Sequence, residues 1–359
     1  MLMKILFTTH QGELAGSTMS IYYLSKGLAE RGHQIHVGVR KGTLLWQKLS
    51  YINNLTLHDL QIDSYIEWKA CQLIKKIVKD NQVQIINAQG GKDRNLTILA
   101  KWMFDLDVKI IFTRRQRPRN EPWIKRWFHT RGTAKIIMIS HGLKEIFISK
   151  GYYSEHLKVI HNAVPSDLDS AIHQEKVETL KAQYAIAGKT IVGCLSRKKS
   201  QEQLLEAFKY LPEEYVGLFV GIGVEEVDEK LVSNLKQRLI YTGLLDHEEA
   251  LHHLKLMNVN VLPSYLDGFG LVLVESMLLD VPVVGSNFGG IPDVIEDGKT
   301  GLLFENGNPK QLAEQIQRII EDKQLSEQLK KEGKKVAKAK FSIETMLNNY
   351  ESFFQSIVY

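Results

Sequence analysis

Short apolar runs alternate with longer amphipathic segments along almost the whole chain, and the alternation stops once and then restarts. That pattern constrains the fold more than any single residue. It is the mark of parallel strands covered on both faces by helices. Strands are expected at 4–8, 34–39, 84–87, 109–113, 135–139 and 158–160, with helices at 18–31, 64–80, 95–105 and 142–150. Asn162-Ala163-Val164-Pro165 breaks the pattern, and a polar stretch follows to about residue 188. Strands are expected again at 190–195, 215–220, 239–241, 258–262, 282–285 and 301–304, and three helical segments close the chain. A chain of 359 residues is too long for one ordinary core. The reading is therefore α/β, with two doubly wound Rossmann-like domains facing a central cleft. Residues 1–165 form the first domain and 166–340 the second, and the helix of 341–359 packs back on the first. Open sheets of this kind bind ligands at the carboxyl ends of their strands.

Composition narrows the setting. No apolar run approaches the ~20 residues of a membrane span, and Met1 to Phe7 lead directly into a strand rather than a signal peptide. Cys71 and Cys194 lie far apart, which suggests neither a disulfide framework nor a metal knuckle. A cytoplasmic location fits. The net charge of +5 is unevenly spread: residues 1–165 carry 25 Lys and Arg against 12 Asp and Glu, and residues 166–359 carry 21 against 29.

The densest chemistry lies in Pro263-Ser264-Tyr265-Leu266-Asp267-Gly268-Phe269-Gly270-Leu271-Val272-Leu273-Val274-Glu275. A strand ends, a turn with two glycines follows, and a helix begins, so backbone N–H groups point at a bound anion. Glu275, early in that helix, can reach a polyhydroxyl ligand. A phosphate beside a sugar suits the arrangement. Downstream, Pro282-Val283-Val284, Gly289-Gly290-Ile291-Pro292-Asp293 and Gly298-Lys299-Thr300-Gly301-Leu302-Leu303 follow in order.

From Gly243 to Phe304 this order and spacing resemble the donor-binding domain of GT-B glycosyltransferases of family 4, the retaining group that includes lipopolysaccharide-core and mannosyl transferases. Gly16-Ser17-Thr18, Leu24 to His33, and Val159-Ile160-His161-Asn162-Ala163-Val164 extend the resemblance through the first half. The resemblance implies a nucleotide-sugar donor, UDP- or GDP-linked, as substrate, with no cofactor and no metal. Lys199 aligns with the family's phosphate-binding lysine. The usual arginine position is Cys194, and Arg197 is the substitute. Glu275 is implied to bind the ribose hydroxyls, and Asp267 to take the place of a glutamate that contacts the transferred hexose. Aspartate is one methylene shorter, about 1.5 Å less reach. Phe269, Gly270 and Leu271 are expected to present N–H groups to phosphate or sugar, as is Gly16 from the first domain. Gly243 opens the matched donor region.

On the acceptor side, Asn87 to Asp93 follow a strand. Asp93 resembles an acid that relatives place near the acceptor, to orient or deprotonate its hydroxyl, and it would equally suit a helix N-terminus. Where many relatives have a histidine, Thr113-Arg114-Arg115 puts Arg115. Arginine is a poor base, so contact with a phosphorylated acceptor or the donor phosphate is favoured. Residues 114–131 hold Arg114, Arg115, Arg117, Arg119, Lys125, Arg126 and Arg131 with Trp123, Trp127 and Phe128, against Glu121 as the one acid. Cations interleaved with aromatics suit an anionic membrane surface, and no nucleic-acid-binding motif accompanies them. Asp167-Leu168-Asp169 and Asp105-Leu106-Asp107 are chance Asp-x-Asp matches rather than metal sites.

The expected function is retaining transfer of a hexose-type sugar to a glycan or glycolipid hydroxyl in bacterial envelope polysaccharide or lipopolysaccharide synthesis, peripherally at the inner membrane face. A nucleotide-sugar 2-epimerase of the same fold and a silent sugar-nucleotide-binding partner are the alternatives.

Overall fold

The computed structural model describes residues 1–13, 15–118, 121–265 and 267–359. It consists of two compact units, Met1–Ala163 with Ile343–Tyr359, and Val164–Ser342.

The first unit is built on a seven-stranded parallel sheet. Its strands are β1 (Lys4–Thr8), β2 (Gln34–Val39), β3 (Leu55–Asp59), β4 (Ile85–Ala88), β5 (Lys109–Arg114), β6 (Lys135–Met138) and β7 (Leu157–Val159). They lie in the order β3-β2-β1-β4-β5-β6-β7. Continuous Ile, Leu, Val and Phe runs make the central strands, because a parallel sheet covered by helices buries both faces. Ile5, Leu6, Phe7, Ile85, Ile86, Ile110, Ile111 and Phe112 are all fully buried. β3 was not expected. It sits at the sheet edge, and its half-exposed Leu55-Thr56-Leu57-His58-Asp59 lacks an unbroken apolar run.

The helix Ile343–Val358 belongs to this unit. Leu347, Tyr350 and Phe354 enter the core beside Phe7, with the Phe7 and Phe354 rings 6.5 Å apart. At its edge Arg31 bonds Glu344 and Glu351, each at 2.6 Å, and His33 bonds Glu351 at 3.0 Å.

The second unit carries six parallel strands, β8 (Ile191–Leu195), β9 (Val216–Val220), β10 (Arg238–Tyr241), β11 (Val259–Leu262), β12 (Val283–Ser286) and β13 (Leu302–Phe304). Their order is β10-β9-β8-β11-β12-β13. Val164 and Ser342, at the two ends of this unit, form a β-bridge. Asn260 ties three elements at the centre. Its Oδ1 accepts from Leu195 N at 3.2 Å, and its Nδ2 donates to Ser276 Oγ at 2.9 Å. Each sheet has one switch point where successive connections run to opposite sides, β1/β4 in the first and β8/β11 in the second. Most candidate residues follow the strands of those pairs, with Arg115 after β5 and Gly243 after β10. Among the described residues no helix is long and apolar enough to cross a membrane.

Candidate functional site

In the second unit two loops leave the switch point, one after β8 and one after β11. Gln201 shapes the first. Its amide donates to Ser196 O (3.2 Å) and Arg197 O (2.8 Å), and its carbonyl accepts from Lys199 N (2.6 Å). Gln203 fixes the start of the second by donating to Pro263 O at 2.6 Å. Lys199 then reaches across, its Nζ lying 2.7 Å from Asp267 Oδ2. Arg197 is exposed on the same loop. Cys194, in the usual arginine position, points into the core, and burial pushes its thiol up to about 12.

The loop after β11 is closed by its own acid, Asp267. Its Oδ1 accepts from Phe269 N (3.1 Å) and Gly270 N (2.8 Å), the local turn that a short aspartate side chain favours. Those two N–H groups are engaged by Asp267. Phe269 is 2% exposed, and its ring packs edge-on against Phe341. Gly270 adopts φ +85° at the N-cap of the helix Leu271–Leu278, which has no side-chain cap. Leu266 lies outside the described residues. The Gly289-Gly290 pair serves backbone packing: Gly290 N donates to Asp267 O at 3.0 Å, and a Cβ at Gly290 would lie 2.1 Å from Gly268 O.

Glu275 sits one turn into the helix, and its Oε1 lies 2.9 Å from His247 Nε2. His247 begins the helix His247–Leu254, and Asp246 caps that helix by accepting from Glu249 N at 2.8 Å. The hydrogen bond to Glu275 raises the His247 pKa, against the opposing effect of burial. His247 was missed in the sequence because 28 positions separate it from its partner. Gly243, with φ +67° and open space around it, follows β10 on the approach to this helix.

In the first unit Asp93 is fully buried. Its Oδ2 accepts from Gly90 N (2.9 Å) and Thr8 Oγ1 (3.3 Å), and its Oδ1 lies 3.0 Å from His10 Nδ1. The carboxylate is thus committed to its own helix start and to His10. His10, with 18% of its side chain exposed, is the group that faces outward. A histidine two residues beyond β1 was the available signal. Gly90 is obligatory here, since a Cβ would lie 2.3 Å from both His10 Nδ1 and Asp93 Oδ1.

Arg115 leaves the end of β5 and donates from Nη1 to Gln89 Oε1 at 2.5 Å. Arg94 donates to Gln89 O (3.3 Å) and Thr113 O (3.0 Å). Asp93 and Arg115 thus meet around Gln89-Gly90. Gly16 is exposed at the first residue of the helix Gly16–Glu30, where Ala15 at the N-cap supplies no side-chain cap.

The segment 114–131 divides in two. Arg114 is turned inward, 6% exposed, over the Phe147 ring and 2.5 Å from Glu121, itself 1% exposed at the side chain. Those residues are interior rather than part of a solvated basic stripe. The helix Trp123–Gly132 supplies the outer face, with Trp123 67%, Ile124 60% and Trp127 53% exposed. Trp102 and Met103, from the helix Gly91–Met103, extend it, with Trp102 6.3 Å from Trp127. Arg119 lies outside the described residues.

Residues 14–168 match the family described as Glycosyltransferase Family 4, and residues 173–336 match Glycosyl transferases group 1. The chain is 24% identical over 359 residues to the N-acetyl-alpha-D-glucosaminyl L-malate synthase of Bacillus anthracis, covering 93% of this chain and 92% of that one. It is 28% identical over 236 residues to the capsular polysaccharide biosynthesis glycosyltransferase CapM of Staphylococcus aureus, covering 62% of each. The chain spans about three fifths of the length of two of the curated relatives it matches. Among solved structures it is similar to Anabaena HepE in complex with UDP, with a TM-score of 0.82, 21% identity and coverage of 99% of this chain and 100% of that one. With both halves matched and two Rossmann-like parallel sheets in the GT-B arrangement of strands, the chain belongs to the family 4 glycosyltransferases.

Proposed function

We propose that this chain transfers a hexose-type sugar from a UDP- or GDP-sugar to a hydroxyl of a glycan or glycolipid, with retention at the anomeric carbon and without a metal ion. The observation that carries this reading is the Lys199–Asp267 contact at the start of the helix that bears Glu275. When the sugar–phosphate bond breaks, negative charge grows on the departing phosphate. Lys199, 45% exposed on a flexible stem, swings from Asp267 to that charge, and Arg197 and the uncapped helix start assist. Glu275 exchanges His247 for the ribose hydroxyls. In the first unit Asp93 acts through His10, which it holds in orientation toward the acceptor hydroxyl.

A role in envelope polysaccharide synthesis is supported by the capsular relative. Docking on an anionic membrane at its cytoplasmic face is supported by the exposed tryptophans, with Lys125, Arg126 and Arg131 on the same helix. Replacing Trp123 and Trp127 by serine is expected to release the protein from phosphatidylglycerol vesicles in a flotation assay.

A thermal-shift screen of UDP-, GDP- and ADP-sugars identifies the donor, since a ligand that binds only the folded state raises its apparent stability. Product analysis with extracted glycolipids then tests transfer and anomeric configuration. Epimerised free nucleotide sugar formed without acceptor would replace this reading with the 2-epimerase. Donor binding with neither transfer nor hydrolysis would leave a silent binding protein.

A further inference from the structure

At the carboxyl ends of β4 and β5 three arginines, Arg94, Arg114 and Arg115, meet two acids, Asp93 and Glu121. In each arginine the Nε is buried without a hydrogen-bond partner. Glu121 answers Arg114, and it also serves Lys125 at 3.4 Å. Asp93 is committed to His10, Thr8 and Gly90. Among the described residues Arg94 and Arg115 form no ion pair, and their partners are the neutral oxygens of Gln89 and Thr113. Burial draws both guanidinium pKa values down, Arg94 to about 9 with Arg114 adding to the effect there, and the nearby Asp93 carboxylate opposes the shift in both. Partly desolvated guanidinium groups held only by neutral oxygens favour a counter-charge supplied from solvent.

The start of the helix Gly91–Met103, beside Gln89, is already answered by Asp93, whose carboxylate accepts from Gly90 N at the N-cap. His10, partly exposed, stands next to this helix start.

The geometry points to an oxyanion site at the ends of β1, β4 and β5, in which Arg115, backed by Arg94, and the edge of His10 hold the phosphate or carboxylate of an anionic acceptor. Naming the ligand an acceptor rests on the transferase reading, whereas the anion site stands on the arginines. Arg115 is the residue to change, because it is partly exposed and one neutral hydrogen bond holds it. Arg94 supports it from behind through Gln89.

The test is calorimetric titration of inorganic phosphate into Lys199→Ala protein, which lacks the donor-side lysine, and into the same protein carrying Arg115→Gln or Arg115→Lys. Saturable binding is expected in Lys199→Ala, weakened roughly tenfold or more by Arg115→Gln, since a charge-assisted bidentate contact is lost. Arg115→Lys should recover part of the affinity, which separates lost charge from lost fold, and melting curves of all three check the fold directly. Acetate in place of phosphate distinguishes the source: binding of phosphate alone assigns a phosphorylated acceptor, and binding of both assigns a carboxylate as well. No saturable phosphate binding in Lys199→Ala, or binding indifferent to Arg115→Gln, overturns the site. Neither result touches the donor reading, which UDP- or GDP-sugar binding to the unmodified protein decides separately.

Discussion

Asp93 and Asp267 occupy equivalent places in the two units. Each follows a central strand at its sheet's switch point, and each accepts N–H bonds from the turn that opens the next helix. They differ in the company their second oxygen keeps. Asp267 faces a half-exposed lysine on a long stem, whereas Asp93 faces a mostly buried histidine locked by sheet and helix. The same capping chemistry leaves a movable cation in one unit and a fixed imidazole in the other. Charge that must travel during a reaction belongs with the first arrangement, and a group that must hold its direction belongs with the second.

The comparison breaks most easily at the buried acid. Asp93→Ala is expected to destabilise the protein by about 3–5 kcal/mol in urea denaturation, the cost of removing one member of a buried charged network. Asp267→Ala should cost about 1 kcal/mol, as for an exposed pair and a local turn. Equal losses would erase the distinction. Lys199→Ala reverses the order of effects: transfer should fall by roughly 10²–10³, the loss seen when one transition-state donor is removed, with the melting temperature nearly unchanged. Glu275→Ala is expected to weaken UDP- or GDP-sugar binding by about 1.5–3 kcal/mol in calorimetric titration, through loss of hydrogen bonds to a charged acceptor. Unchanged affinity in both Lys199→Ala and Glu275→Ala would remove the donor assignment.

The smallest effect sharpens the picture by pH. His247 has a folded pKa raised by Glu275 above the ordinary 6.5. Its contribution to stability is therefore fully present below 6.5 and fades as the pH rises through the raised value. NMR titration of the His247 ring should show that raised midpoint, and Glu275→Gln should bring it down. Donor affinity should also increase as the pH rises through it, because the neutral ring yields Glu275 to the ribose more readily. A His247 midpoint indifferent to Glu275→Gln would sink this coupling.

Much of the fold was legible because parallel strands buried on both faces read as unbroken apolar runs. β1 and β2 fall on the expected residues, and the other expected strands shift by a residue or so. β3 escaped because an edge strand exposes half of its side chains. The donor loop was legible as a motif, since its groups lie within nine consecutive positions. The use of Asp267 was not, because a shortened side chain was weighed by its outward reach and the backbone offered it nearer partners. His10 and His247 were invisible for a different reason. Their partners, Asp93 and Glu275, are brought to them by tertiary contact across 83 and 28 positions. The basic segment misled because composition counts charges without saying which way they face, and Arg114 lies inside at the end of a strand.

The helix Ile343–Val358 has a consequence for how the protein is made. Leu347, Tyr350 and Phe354 are core residues of the first unit, yet they are synthesised after the whole of the second. At about 5–20 residues per second, the ribosome leaves the first unit's apolar surface uncovered for roughly ten to forty seconds while Val164–Ser342 emerges. The second unit, continuous in sequence, can close first. The order of synthesis thus differs from the order in which the two cores can be completed.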